Sequence, residues 1–320
     1  MFCLIYRGGI VVKKVLKIIG AVLLIAIISI IILLIYTGNK PAAPTNYQQS
    51  VETGGGIEAK YMANGSFEVS VYEEPVLQVF QKYVIYYPAE LETSDKQYPV
   101  IVICNGSGTP ISKYPAVPEH YASWGFIVIA TEEKYAWNGF GAEMSIIHMQ
   151  RLNDNEQIEE GKANIFYQKV DFSNVGIVGH SQGGIGVLNA VTVQKHKDIY
   201  KAAVSLSPTN KELAHNLEWD YDAALVELPI MLISGAGGGD DWVVTGEQIE
   251  SIYNDIPDNK IMPRRNNTVH NEVLYSPDGY VTAWFMWHLQ GDQNAAKAFV
   301  GENAEILTNP FYQDQQTTMK

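Results

Sequence analysis

Short apolar runs alternate along most of the chain with segments in which apolar residues recur every three or four positions. Short continuous apolar runs are typical of strands buried on both faces of a sheet, and the helical spacing indicates helices that cover it. The pattern therefore predicts an α/β domain with a mostly parallel, twisted sheet and helices on both faces. The predicted strands are 99–104, 125–130, 175–178, 202–206 and 229–234, and the predicted helices are 118–124, 142–152, 184–194 and 246–253.

Two stretches before these runs have a different pattern. Residues 67–71 and 79–87 alternate apolar and polar positions and are rich in aromatic residues. Alternation of this kind is typical of strands with one face exposed. It predicts an antiparallel hairpin at the start of the sheet.

The N-terminus carries a separate signal. Residues 18–36 contain no charged side chain, and the cations of the first 17 residues precede them. As a helix, such a segment would span roughly 28 Å, about one hydrocarbon core. We predict a cytoplasmic basic segment over 1–17 and a single transmembrane signal anchor over 18–36, with everything after residue 36 outside the cell. A cleaved secretory signal is the alternative, and the protein would then be secreted.

A polar stretch rich in proline and glycine follows, ending in Gly54, Gly55 and Gly56. Such a composition is typical of a linker. The predicted organisation is therefore a linker over 37–56 and one α/β domain over 57–320.

Composition narrows the possible functions. The formal net charge is −13, with no basic stripe after the first residues, so nucleic acid is disfavoured as a partner. The two cysteines, Cys3 and Cys104, predict no disulfide framework. No cluster of histidines and cysteines has metal-ligand spacing, so neither a metal nor an organic cofactor is expected.

The strongest chemical signal follows the strand 175–178. The run Gly179-His-Ser-Gln-Gly183 joins that strand to a predicted helix. A serine flanked two positions away by glycines, between strand and helix, is typical of a nucleophile elbow, in which a strained backbone exposes the hydroxyl. A phosphate-binding glycine loop is the alternative, but no Gly-Lys-Ser or Gly-Lys-Thr follows. Ser181 is therefore the predicted nucleophile.

A serine nucleophile needs a base, and the base needs an orienting carboxylate. The glycine-rich loop after the strand 229–234 contains Asp240 and Asp241, and either could orient the base. We choose Asp241, because two valines shortly after it can tuck the loop under the next helix. We choose His270 as the base, because it lies in a predicted polar loop after the last strand.

Backbone donors for a developing oxyanion normally come from the residue after the nucleophile and from the loop after the third strand. These positions predict the N–H groups of Gln182 and Ser107, with Gly106 allowing close approach of the backbone. Four aromatic residues could line an acyl pocket, namely Tyr135, Trp137, Trp242 and Trp284.

The chain from about residue 57 to 312 resembles the α/β-hydrolase superfamily. The runs 120–130, 179–184 and 281–285 resemble its dienelactone hydrolase, chlorophyllase and polyester hydrolase (cutinase-like) branch. The resemblance implies a serine carboxylester hydrolase with Ser181, Asp241 and His270 as triad and Ser107 and Gln182 as oxyanion donors. The chain departs from this branch where Asn105-Gly-Ser107 replaces the usual oxyanion loop, in its glycine-rich acid loop, and in lacking a disulfide near the C-terminus.

The sequence thus predicts cleavage of a small or medium acyl ester through an acyl-enzyme. Two alternatives stay open. The same triad could serve an acyltransferase, amidase or peptidase, because the acyl-enzyme does not dictate which nucleophile resolves it. The fold could also belong to a catalytically silent binding module.

Overall fold

The computed structural model describes residues 19, 22–30, 40–76, 79–159 and 161–320, and residues Ala42 to Lys320 form one compact unit. Its strands are β1 (Val69–Pro75), β2 (Lys82–Pro88), β3 (Tyr98–Cys104), β4 (Ile127–Thr131), β5 (Gln157–Glu159), β6 (Lys162–Ala163), β7 (Val170–His180), β8 (Tyr200–Leu206), β9 (Ile230–Ala236), β10 (Lys260–Asn266) and β11 (Tyr312–Thr317). Its α-helices are α1 (Tyr47–Ser50), α2 (Gly56–Met62), α3 (Ala116–Ser123), α4 (Phe140–Asp154), α5 (Gln182–Thr192), α6 (Lys211–Asn216), α7 (Gly246–Asp255), α8 (Asp278–Gln290), α9 (Gln293–Ala296) and α10 (Glu305–Thr308). Short 3-10 helices occupy Ala89–Glu92, Ile111–Lys113, Lys197–Ile199, Ala223–Leu225 and His270–Leu274.

The described residues form a nine-stranded mixed sheet in the order β1-β2-β4-β3-β7-β8-β9-β10-β11, beside a separate β5-β6 hairpin. The central pairs from β4 through β10 are parallel, whereas β1, β2 and β11 pair in antiparallel fashion. The sheet and its N-terminal hairpin agree with the apolar pattern of the sequence. The carboxyl ends of the parallel strands lie along one edge, where α/β sheets place ligands.

Two apolar clusters pack on opposite faces of the sheet. Along β3, Ile101 and Ile103 belong to one cluster, and Val100 and Val102 belong to the other. Helices α3 and α8 cover the first face, while α4, α5 and α7 cover the second. Because successive strand residues face opposite sides, a continuous apolar run is what a strand buried on both faces requires. This mixed α/β sheet with helices on both faces confirms the predicted architecture.

The predicted basic segment 1–17 lies outside the described residues, as does most of the predicted anchor 18–36. Of that anchor, residues 19 and 22–30 are described and are helical. Within the part of the chain that the structure describes, no helix combines the length and apolar character needed to cross a membrane.

The compact unit begins before the predicted domain boundary. Ala43 and Tyr47 fall in the predicted linker 37–56, yet both are buried. The Tyr47 hydroxyl donates a hydrogen bond to Asp278 at the start of α8. The second half of the predicted linker is therefore part of the folded domain, because its few apolar residues insert into the core despite a polar composition.

A further correction concerns the segment before His270, which the sequence predicts to be a polar loop. Lys260 to Asn266 instead forms β10, with the side chains of Lys260, Arg264 and Arg265 buried. Each cation has partners inside the protein: Lys260 donates to the carbonyls of Tyr253 and Ile256, and Arg265 pairs with the buried Glu58. These buried partners satisfy the charges, and Glu58 is 207 positions from Arg265, so local polarity did not reveal the strand.

Candidate active site

Ser181 occupies a sharp turn between β7 and α5. Its φ of 61° and ψ of −122° lie outside the regions favoured by L residues. The neighbouring glycines are required by close packing: a Cβ on Gly179 would lie 2.2 Å from the carbonyl oxygen of Gly183, and one on Gly183 would lie 2.1 Å from that of Cys104. The Ser181 N–H donates to the Leu206 carbonyl at 2.8 Å, which ties the turn to β8.

His270 lies next to this serine. It begins the 3-10 helix His270–Leu274, and its N–H donates to the carbonyl of Gly239 at 3.1 Å. The imidazole is buried, and its Nε2 is 2.9 Å from Oγ of Ser181. The serine hydroxyl can therefore donate its hydrogen bond directly to a histidine nitrogen, the arrangement needed for general-base activation.

Asp240 supports the other side of the imidazole. Its Oδ1 is 2.6 Å from Nδ1 of His270, and the carboxylate is completely buried. The second oxygen, Oδ2, accepts the N–H of Gly235 and the hydroxyl of Ser207, each at 2.6 Å. Because an ionised carboxylate only accepts, Nδ1 carries the proton and Nε2 is left free to accept from Ser181.

This geometry corrects the choice of Asp241 as the orienting acid. The Asp241 side chain is about half exposed and pairs with Arg264 at 3.3 Å, away from His270. The valines do tuck the loop inward, but the N–H groups of Val243 and Val244 both donate to the carbonyl of Asp240. The turn therefore starts one residue earlier than the sequence suggested, so Asp240 faces the site and Asp241 faces solvent.

The two predicted oxyanion donors lie on either side of the nucleophile. Gln182 is the first residue of α5, whose N-terminus favours negative charge. Ser107 follows Gly106, where a Cβ would lie 3.2 Å from the His180 carbonyl and 3.7 Å from Cβ of Ser181. Neither the Ser107 nor the Gln182 N–H donates to another residue that the structure describes. Neither predicted donor is therefore used by another group within the described part of the chain.

His180 was not expected to act in the site. Its Nε2 donates to the carbonyl of His270 at 2.8 Å, and the two rings lie 4.5 Å apart. Burial, together with the nearby His270, lowers the pKa of His180 to about 3, so this imidazole stays neutral. His180 therefore holds the backbone of the candidate base. The only signal in the sequence was its position before the nucleophile.

The four aromatic residues that could line an acyl pocket differ in how exposed they are. The exposed Trp242 ring meets the His270 ring edge to face at 5.0 Å. Tyr135 is also exposed, and Trp137 is half-buried. Trp284 is completely buried against Phe299 and therefore packs in the core rather than lining a pocket.

The loop after β4, residues 132–137, lies beside both predicted donors. Ala136 donates its N–H to the side-chain oxygen of Gln182 at 3.0 Å. Glu133 is buried in the same loop, and burial raises the pKa of its carboxyl group to about 7.

Among the described residues, no group of histidine, cysteine, aspartate and glutamate side chains could hold a metal ion.

Comparison with known protein families identifies the family of this chain. The model of the PETase family, described as PET hydrolase-like, matches residues 46–316. No curated protein matches the sequence significantly. The match covers nearly the whole compact unit and confirms the predicted superfamily and branch. The chain therefore belongs to the PET hydrolase-like family of the α/β-hydrolase superfamily, the cutinase and polyester hydrolase branch, whose members are hydrolases acting on esters.

Proposed function

We propose that this protein is a serine hydrolase that cleaves carboxylic esters through an acyl-enzyme. The observation that carries the proposal is the continuous chain of hydrogen bonds from Asp240 through His270 to Ser181, at 2.6 and 2.9 Å. Its position at the carboxyl edge of the parallel strands supports it further, because ligands bind at this edge of open α/β sheets.

In the proposed reaction, Ser181 Oγ attacks the ester carbonyl carbon while Nε2 of His270 takes its proton. The carbonyl electrons move to the oxygen, which the N–H groups of Ser107 and Gln182 stabilise. The protonated His270 then gives its proton to the leaving alcohol. Water, activated by His270 in the same way, resolves the acyl-enzyme and restores Ser181.

Asp240 keeps its charge throughout this cycle. The donors Gly235 and Ser207 already satisfy its Oδ2, so Oδ1 is left to hold Nδ1–H of His270. A carboxylate in this position stabilises the imidazolium that forms when the serine proton is taken. The exposed rings of Tyr135 and Trp242 give the acyl or alcohol part of the substrate apolar surface to contact.

We also propose that residues 18–36 anchor the enzyme in the cell membrane, with the hydrolase domain outside. Support comes from the absence of charge in this segment and from the cations that precede it. Protease treatment of intact cells followed by membrane fractionation tests this. Loss of the hydrolase domain from a membrane fraction is expected, whereas a protected domain or a domain found only in the medium would contradict the anchor.

The function itself is tested with the purified full-length chain and p-nitrophenyl esters of short and medium acyl length. We expect turnover by the wild type and a loss on the order of 10⁵-fold in Ser181→Ala. A fluorophosphonate probe should label the wild type and not the variant. A folded wild type that neither turns over any ester nor takes the probe would favour a silent binding module. Preferential transfer of the acyl group to an added alcohol would favour an acyltransferase.

A further inference from the structure

Asn105 is a buried polar side chain that the proposed reaction does not use. It follows the last residue of β3 and is completely buried. Its amide nitrogen donates to the Thr131 carbonyl at 2.7 Å and to the Glu133 carbonyl at 2.9 Å. Its Oδ1 accepts the hydroxyl of Tyr114. Both N–H bonds and one acceptor position are therefore filled inside the protein.

These bonds join two parts of the site edge. Thr131 ends β4 and Glu133 lies in the loop beyond it, so the Asn105 side chain ties the end of β3 to the end of its parallel neighbour. A second bond repeats the connection, because the Gly108 N–H donates to the Lys134 carbonyl at 2.9 Å. The Ser107 peptide lies between these two attachments.

The same loop also contacts the residue that carries the other donor. Ala136 donates its N–H to the side chain of Gln182, which is completely buried. The loop 132–136 is thus a common support for the two N–H groups beside Ser181. Donors that stabilise an oxyanion contribute most when they are held in place before the reaction begins.

We propose that Asn105 is a positioning residue of the oxyanion hole, which fixes the Ser107 N–H through its hydrogen bonds to the carbonyls of Thr131 and Glu133. The inference rests on the proposed ester hydrolysis. The sequence anticipates no such role, since an asparagine before glycine is also typical of an ordinary turn. The distinguishing observation is that this asparagine side chain points inward and is satisfied by the neighbouring strand.

The test compares Asn105→Ala with a matched control, Asn164→Ala. Asn164 is also buried and donates from its amide nitrogen to two backbone carbonyls, those of Leu152 and Asn155. It lies before β7, whereas Ser181 follows the carboxyl end of that strand. Both variants lose two donated hydrogen bonds and one accepted bond, from Tyr114 in the first and from Phe166 in the second, but only the first loses them beside the site.

Ester hydrolysis by the full chain is measured per folded molecule, alongside inhibition by a trifluoromethyl ketone, which forms an oxyanion when a serine adds to it. In Asn105→Ala we expect kcat to fall roughly tenfold to a hundredfold and KM to change less than about threefold, since the donor acts in the transition state. Affinity for the ketone should fall in parallel with kcat/KM. Asn164→Ala should keep all three values within about threefold.

A third variant separates hydrogen bonding from packing. Asn105→Asp keeps the shape of the side chain but turns a carboxylate oxygen toward two carbonyls, so its kcat should fall at least as far as in Asn105→Ala. Once protonated, the carboxyl group can donate one of the lost bonds, so its rate relative to wild type should recover as the pH falls.

The outcomes separate this inference from the proposed function. If the wild type itself has no esterase activity and no reactive serine, the proposed function fails. If the wild type is active but both alanine variants behave alike, or Asn105→Ala lowers stability while kcat and ketone affinity per folded molecule are unchanged, the positioning role is overturned.

Discussion

Among the residues that the structure describes, two buried histidine–aspartate pairs have nearly the same geometry. In the first, Nδ1 of His270 lies 2.6 Å from Asp240, and in the second, Nδ1 of His120 lies 2.7 Å from Asp278. All four side chains are at least nine-tenths buried. A histidine held by a carboxylate is therefore not by itself a sign of catalysis in this protein.

The pairs differ in the partner of Nε2. That atom of His270 meets the hydroxyl of Ser181, whereas that of His120 meets the carbonyl of Ala63 at 3.0 Å. A hydroxyl can give up its proton to the imidazole, but a carbonyl has none to give. The Ala63 carbonyl can only accept, and it accepts a second hydrogen bond from Nε1 of Trp124, so this contact holds the ring in place and offers no proton to it.

The locations explain the difference. His270 lies at the open carboxyl edge of the sheet, where a substrate can reach Ser181. His120 lies inside α3, where it joins the segment after α2 to the start of α8. One pair is thus placed to move a proton, and the other fastens the first residues of the domain to the core.

The largest expected effect is at the carboxylate behind His270. Asp240→Asn should lower kcat for ester hydrolysis on the order of 10⁴-fold, because the amide no longer holds the imidazole in the required tautomer. The neighbouring Asp241→Asn is the control and should change kcat less than about fivefold, since Asp241 is half exposed and bonded elsewhere. Steady-state kinetics on folded protein measures both. A larger loss in Asp241→Asn would reverse the assignment of the acid.

A substitution in the second pair, His120 and Asp278, should lower the stability of the protein rather than its activity. Asp278→Asn removes the buried carboxylate that is hydrogen-bonded to both His120 and Tyr47, so we expect unfolding to become easier by about 3–5 kcal/mol. Activity per folded molecule at low temperature should stay close to wild type. Urea denaturation and ester hydrolysis measure the two quantities.

A matched control is available on the surface. His215 and Asp220 form a third pair at 2.9 Å, in which both side chains are mostly exposed. Asp220→Asn should leave the urea midpoint unchanged, because exposed ion pairs contribute little. If Asp278→Asn proved as stable as Asp220→Asn, the buried pair of His120 and Asp278 would not stabilise the fold.

The smallest effect is expected at a histidine with no carboxylate partner. His288 packs against Trp284 and Trp287, its Nε2 has no hydrogen-bond partner among the described residues, and burial lowers its pKa to about 3. Between pH 6.5 and 3 the unfolded chain therefore binds a proton that the folded chain does not, so stability decreases as the pH falls.

Replacing this imidazole with an uncharged ring should weaken the effect. His288→Phe is expected to reduce the stability lost between pH 7 and pH 4 by about 1–3 kcal/mol. Urea denaturation of wild type and variant at both values measures the difference. Identical losses would mean that His288 is not kept neutral by its surroundings.

Several parts of the molecule could be predicted because local sequence determines them. Continuous apolar runs mark strands that are covered on both faces, whatever their neighbours are. The elbow at Ser181 could be recognised because backbone atoms come too close to Gly179 and Gly183 for any side chain there. His270 could be chosen as the base because it lies in the polar segment that follows the acid loop in the sequence.

Other features depended on contacts between residues far apart in sequence. Arg265 is predicted to lie in a loop because the carboxylate that pairs with it, that of Glu58, is 207 positions away in the sequence. The sequence predicts a linker over residues 42–56 because Asp278, the hydrogen-bond partner of Tyr47, lies 231 positions away. In both cases local polarity was outweighed by burial with a distant partner.

The sequence by itself determined the N-terminal hairpin, the parallel strands β3, β4, β7, β8 and β9, and the strained turn at Ser181, since each depends on neighbouring residues. Only the tertiary structure decided between Asp240 and Asp241, and between His270–Asp240 and His120–Asp278. Adjacent side chains can point in opposite directions at a turn, and a histidine acquires its role from the group at its second nitrogen. In each case the deciding partner comes from a distant segment, and only folding brings it within hydrogen-bond distance.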